Sequence, residues 1–76
     1  ETEQYDRRSA ALQNCLQKIT ATQRELIARR YQPDGTVISL AADIGKTSKA
    51  VSESLRRVRE KLRLCIERTL AAEAHL

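Results

Sequence analysis

Seventy-six residues allow one small domain with a modest core. The chain has two Gly, one Pro, no Phe and no Trp, and it is rich in Ala, Leu, Arg, Glu and Gln, so it reads as all-α with aliphatic packing. Its net charge is +4, no apolar run approaches the roughly twenty residues of a membrane span, and no signal-peptide pattern is present.

In chain order, residues 1–8 are polar and read as a linker or a frayed N-terminus. Arg7–Lys18 is expected as helix one, with Ala11, Leu12, Cys15, Leu16 and Ile19 inward. Thr20 to Gln23 fits a capping box, with Thr20 as the cap and the Gln23 side chain reaching back. Helix two is expected over Ala21–Arg30, burying Leu26 and Ile27, with Tyr31 packing at its end. Gln32-Pro33-Asp34-Gly35 is the strongest turn signal in the chain.

Helix three is expected to start after Thr36 and to end before Gly45, with Leu40, Ala41 and Ile44 on one face. Gly45 stands where a helix end calls for a left-handed residue, which Gly adopts without steric cost. Thr47 or Ser48 is expected to cap helix four. That helix carries Val51, Leu55, Val58, Leu62, Cys65/Ile66 and Thr69/Leu70 on one stripe and extends to about Ala72. At about 1.5 Å per residue it is roughly 37 Å long, against a radius of gyration of about 11 Å for a globule of this length. Its last turns must overhang or pack back along helix one. The Leu12–Ile19 stripe is the candidate partner of Leu62–Leu70, which brings Cys15 near Cys65. Residues 73–76 read as a frayed C-terminus, and His75 has no assigned role.

Cys15 and Cys65 are isolated, with no C-x-x-C and one His in the chain, so no zinc site or other metal site is expected. Each lies on an apolar stripe. Reduced, buried thiols in a reducing cytoplasm are the expectation, with a disulfide as the alternative. No catalytic constellation and no cofactor-binding loop is present, so the chain does not read as an enzyme. The sequence contains no Met, and it reads as a piece of something longer or a processed form.

Charge is unevenly placed. Residues 1–45 carry six Lys/Arg and six Asp/Glu, whereas residues 46–68 carry eight Lys/Arg against three Glu. Polyanion binding is the natural use of such a stretch, and a solvated face laced with Arg/Glu pairs is the alternative. The basic stretch coincides with two amphipathic helices joined by a short tie containing Gly, the pattern of a helix-turn-helix. The expected architecture is therefore a four-helix domain over residues 9–72 containing a helix-turn-helix with a long C-terminal recognition helix. The first half of that helix would enter the major groove. Lys46, Ser48, Lys49, Ser52, Glu53, Arg56 and Arg57 are the residues expected against DNA. Ser48, Lys49, Ser52 and Glu53 are the base-edge candidates, and Lys46, Arg56 and Arg57 the phosphate candidates. Arg59, Arg63 and Arg68 lie too far along the helix, and Arg29 and Arg30 read as surface charge, with contact to DNA backbone or polymerase as the alternative.

The run ALQNCLQKITATQRELIARRY followed by SLAADIGKTSKAVSESLRRVREKL resembles region four of a bacterial sigma factor, of the extracytoplasmic-function class of the sigma-70 family. Ile19, Gln23 and Arg24 match that family's approach to the helix-turn-helix. Leu40, Ala41, Ile44, Gly45, Thr47, Val51, Leu55, Arg57, Arg59 and Leu62 match the helix-turn-helix itself. The sequence departs from the pattern at Glu53 and Ser54, where the family often has Ser and a basic residue, and in the Gln32–Thr36 loop. The resemblance implies promoter DNA, at the minus-35 element, as one partner of the last helix. It implies docking of the upstream helices on the β-subunit flap of core RNA polymerase, an anti-sigma factor as a frequent covering partner, transcription initiation in the bacterial cytoplasm as the role, and a monomeric domain. Two alternatives stay open: another helix-turn-helix regulator of the response-regulator output type, which commonly dimerises, and a helical protein-interaction module whose basic face is only solvated.

Overall fold

The computed structural model describes residues 2–74, and the side chains of residues 6–73. All regular structure among the described residues is α-helical: α1 (Thr2–Leu16), α2 (Ala21–Arg30), α3 (Val37–Ile44) and α4 (Ser48–Ala74). The bounds of α2 and α3 agree with those expected. α1 begins inside the stretch read as a linker and ends two residues before Lys18. Of residues 73–76, read as a frayed end, 73 and 74 are the last residues of α4; Glu1, His75 and Leu76 lie outside the described residues.

Three threonines start three helices by the same chemistry. The first N–H groups of a helix have no partner within it, and a hydroxyl one residue before the helix supplies one. Thr20 Oγ1 accepts from Gln23 N at 3.1 Å while Gln23 Oε1 accepts from Thr20 N at 3.1 Å, closing the capping box. Thr36 Oγ1 accepts from Ser39 N, and Thr47 Oγ1 accepts from Ala50 N, each at 3.1 Å. At the other end of α1, Arg24 Nη1 donates to Leu16 O at 3.0 Å. The Gln-Arg pair therefore acts locally: Gln23 caps α2, and Arg24 ties α2 to the last turn of α1.

α4 is the spine. Its residues Val51, Leu55, Val58 and Leu62 are all buried. Val51 and Leu55 join Leu40 and Ala41 of α3, and Val58 and Leu62 join Cys15 of α1 and Ile19 beyond it. Ile27 of α2 packs against both clusters. The expected meeting of the α1 stripe with the second half of α4 is thus observed, with Leu12, Leu16, Cys65 and Ile66 at its margins. A 27-residue helix spans about 40 Å. The molecule is accordingly elongated, 46 × 21 × 18 Å with a radius of gyration of 14.4 Å.

Packing corrects four expectations. Cys15 and Cys65 are not reduced thiols but form a disulfide, with Cα atoms 5.9 Å apart. The two stripes meet with these residues face to face at a separation a bridge requires, and among the described residues there are no free thiols to point to a reducing compartment. Leu26 and Ile27 are only half-buried, because α2 has no fully buried residue and touches the two clusters along one edge. Tyr31 caps α2 but is 68% exposed, its ring 5.7 Å from the Arg59 guanidinium carbon. Ile44 is 41% exposed, at the rim of a groove rather than in the core.

The two glycines serve different ends. Gly45 has φ 70°, and a Cβ there would meet nothing within 4 Å. Gly35 closes the Gln32–Gly35 turn by donating to Gln32 O at 2.9 Å. A Cβ on it would fall 1.9 Å from Arg29 O and 2.9 Å from Arg30 O, both backbone atoms. Gly45→Ala should therefore cost about 1 kcal/mol, from the left-handed backbone alone. Gly35→Ala should cost about 2 kcal/mol or more, because the turn must lift off α2. Urea unfolding of the two variants checks the order, and equal or reversed losses contradict the steric account.

Candidate nucleic-acid interface

The turn between α3 and α4 is set by backbone hydrogen bonds. Lys46 N donates to Ala41 O at 2.9 Å and Gly45 N to Ala42 O at 3.4 Å, the paired bonds that close a helix through a left-handed residue. Gly45, Lys46 and Thr47 are the only residues between the two helices. Ala41 and Val51 pack where the helices cross, 4% and 1% exposed. A small residue at Ala41 lets the backbones approach, and this sets the angle at which α4 leaves α3.

Lys46, Ser48, Lys49, Ser52, Glu53, Arg56 and Arg57 are all exposed, but they do not form one patch. At 3.6 residues per turn, Lys49, Glu53 and Arg56 lie opposite the buried Val51–Leu55–Val58 line. Ser48 and Ser52 lie on one flank of that outer face. Arg57 lies on the other, where with Lys46 it lines a groove of about 410 Å³ between α2, the end of α3 and α4. Leu26, Ile44, Val51 and Val58 supply the apolar floor and rim of the groove, and Glu25, Arg29 and Ser54 its polar edge. No stretch of sequence announces this groove, because its lining is gathered from three helices.

The cations divide into those already engaged and those that are not. Arg29 pairs with Asp43 across α2 and α3 at 2.6 Å. Arg30 Nη1 donates to Gly35 O at 3.2 Å, and Arg59 lies beside Tyr31. Arg63 bonds Glu60 through two nitrogens and Glu67 through a third. The Arg63 hydrogen bonds, with help from the charges of Arg63 and Arg56, hold the Glu60 carboxyl below the ordinary carboxylate range. Solvent screens these exposed pairs, so they add little to stability, but they neutralise the middle of α4. Lys46, Lys49 and Arg57 make no side-chain hydrogen bond or ion pair with a described residue. The same holds for Lys61 and Arg68 further along. Uncommitted positive charge therefore lies on the outer face and along its groove side at the start of α4.

Among the described residues no group of three or more His, Cys, Asp or Glu is placed to hold a metal ion. No described helix is long and apolar enough to cross a membrane. No family model, characterised protein or solved structure matches the chain.

Proposed function

We propose that the chain is a DNA-binding domain of helix-turn-helix type, which reads a promoter minus-35 element while docked on core RNA polymerase as region four of a sigma factor. One observation carries the reading most. The left-handed turn at Gly45 launches a helix whose first half presents exposed polar and basic groups, with Lys46, Lys49 and Arg57 making no side-chain hydrogen bond or ion pair with a described residue. Cations left unpaired beside a helix of the right width suit a phosphate backbone flanking a major groove.

In this arrangement Lys49, Ser52 and Glu53, with Ser48 at the helix start, face the base edges. Lys49 donates to guanine acceptors and Glu53 accepts from a cytosine amino group. Arg56, one turn further out, and Lys46 and Arg57 on the groove side hold phosphates and set the register. The apolar part of the α2–α4 groove, lined by Leu26, Ile44 and Val58, is the surface for the polymerase flap, and the same surface would be covered by an anti-sigma factor. The domain works as a cytoplasmic monomer in transcription initiation.

The test is a duplex titration at several salt concentrations with a flap pull-down beside it. Arg56→Ala and Arg57→Ala should each weaken binding to any duplex and flatten the log–log salt slope by about 0.9. Ser52→Ala and Glu53→Ala should instead change which duplex is preferred, with a discrimination of about 1–3 kcal/mol at the base contacted. Equal losses on all duplexes from all four changes would remove the division of roles. Absence of both salt-dependent binding and flap capture would leave an interaction module with a solvated basic face. Flap-independent binding by a dimer would point to another class of regulator.

A further inference from the structure

We propose that the Cys15–Cys65 disulfide is a redox-sensitive clamp that holds the DNA-reading half of the molecule in its binding shape. The bridge joins the last turn of α1 to the middle of α4 across a sequence separation of 50. The segment it closes contains the α1–α2 tie, α2, α3, the Gly45 turn and the first half of α4. Everything assigned to DNA lies within that loop. The α1–α4 contact it secures is the most extensive in the fold.

The two ends of the bridge differ. Cys15 is wholly buried, whereas Cys65 is partly exposed. Of the two, Cys65 is therefore the residue on the open side of the bridge, and the clamp is assigned its opening there. The thiolate of a dithiol attacks Cys65 Sγ, a new S–S bond forms there, and the Cys15–Cys65 bond breaks. Cys15 leaves as a thiolate and takes up a proton. The Thr69 hydroxyl, 3.9 Å from Cys15 Sγ, is the polar group beside that leaving sulfur. The second thiolate of the dithiol then attacks its own sulfur in the mixed disulfide. Cys65 is released and protonated, and the dithiol ends as a cyclic disulfide. Two electrons and two protons pass to the protein.

Both states fit the site. Around the bridge lie Ile19, Val58 and Leu62, with Leu12, Leu16 and Ile66, and a free thiol packs there as a small apolar group. The clamp is thus reversible without a charge being trapped. What reduction removes is the covalent constraint. With no Phe or Trp in the chain and, among the described residues, eight buried residues in two clusters, the remaining contacts hold α1 less firmly. The fraction of molecules competent to bind falls, and apparent affinity falls with it.

This inference rests on the DNA reading for its output only. The unmodified chain, oxidised and then treated with dithiothreitol, is compared by trypsin cleavage after Arg8 and Lys18 and by anisotropy with a fluorescent random-sequence duplex. Reduction should raise the cleavage rate by about a hundredfold or more, as the open population grows, and weaken duplex binding by about fivefold or more. The Cys15→Ala/Cys65→Ala variant should behave as reduced protein in either buffer. Single variants test the polarity: glutathione disulfide should modify Cys65 in Cys15→Ala much faster than Cys15 in Cys65→Ala. Cleavage and affinity that do not respond to the reductant overturn the clamp, and so does faster cleavage with unchanged affinity, which leaves only a staple. If the oxidised protein binds no duplex, the DNA reading fails, and the clamp is judged by cleavage and labelling.

Discussion

Leu55→Ala should lower the unfolding free energy by about 3 kcal/mol, the largest loss expected from any single side chain. Leu55 is 2% exposed and is the largest of the fully buried side chains. It sits one turn after Val51 on α4, in the cluster with Leu40 and Ala41 of α3. Truncation leaves a cavity that the neighbours cannot fill, because their own helices are held by capped ends and by the close α3–α4 crossing. A domain of this size has roughly 4–11 kcal/mol in hand, so the change removes a large part of it. Because the cluster sets the angle of α4, the duplex binding proposed above should weaken as well, although Leu55 is buried. Urea unfolding followed by helical circular dichroism measures the loss. A decrease below about 1 kcal/mol would mean that the α3–α4 cluster is not what holds the turn.

Loss of the Cys15–Cys65 bridge should be larger still. Closing a loop of this length restricts the unfolded chain, and the chain-entropy relation gives about 4 kcal/mol for a separation of 50. The melting temperature should drop by about 20 °C when the bridge is reduced or when both cysteines become Ala. The two routes separate causes. Reductant removes the cross-link and keeps the sulfur atoms in the core, whereas the double variant also removes the sulfur contacts. Their difference reports the packing of the thiols, and the effect common to both reports the constraint. If reduction shifts the melting point by only a few degrees, the α1–α4 contact is held by Ile19, Val58 and Leu62 without help.

The positions of the charged groups show how far a linear reading reaches. Lys46, Lys49, Arg56 and Arg57 are recognisable along the chain as a basic run next to a turn. That Arg57 and Lys46 face a groove while Lys49 and Arg56 face outward follows from where α2 lies, because α2 supplies the opposite wall. The matching Gln23 and Arg24 also change meaning. Their spacing suits a family pattern, and in the structure they cap α2 and bind the end of α1. Arg63 counts toward the net charge of α4, yet it is taken up by Glu60 and Glu67.

Helix starts after Thr20 and Thr36 and at Thr47 or Ser48, the left-handed stop at Gly45 and the apolar line Val51–Leu55–Val58–Leu62 could all be read directly from residue order. Each depends on hydrogen bonds or side-chain periodicity within three or four residues, where neighbours in sequence are neighbours in space. The disulfide, the exposure of Tyr31 and Ile44, the steric need for Gly35 and the α2–α4 groove could not. Each arises where segments far apart in the chain are brought together, and their relative placement comes from how the apolar faces of all four helices are satisfied at once.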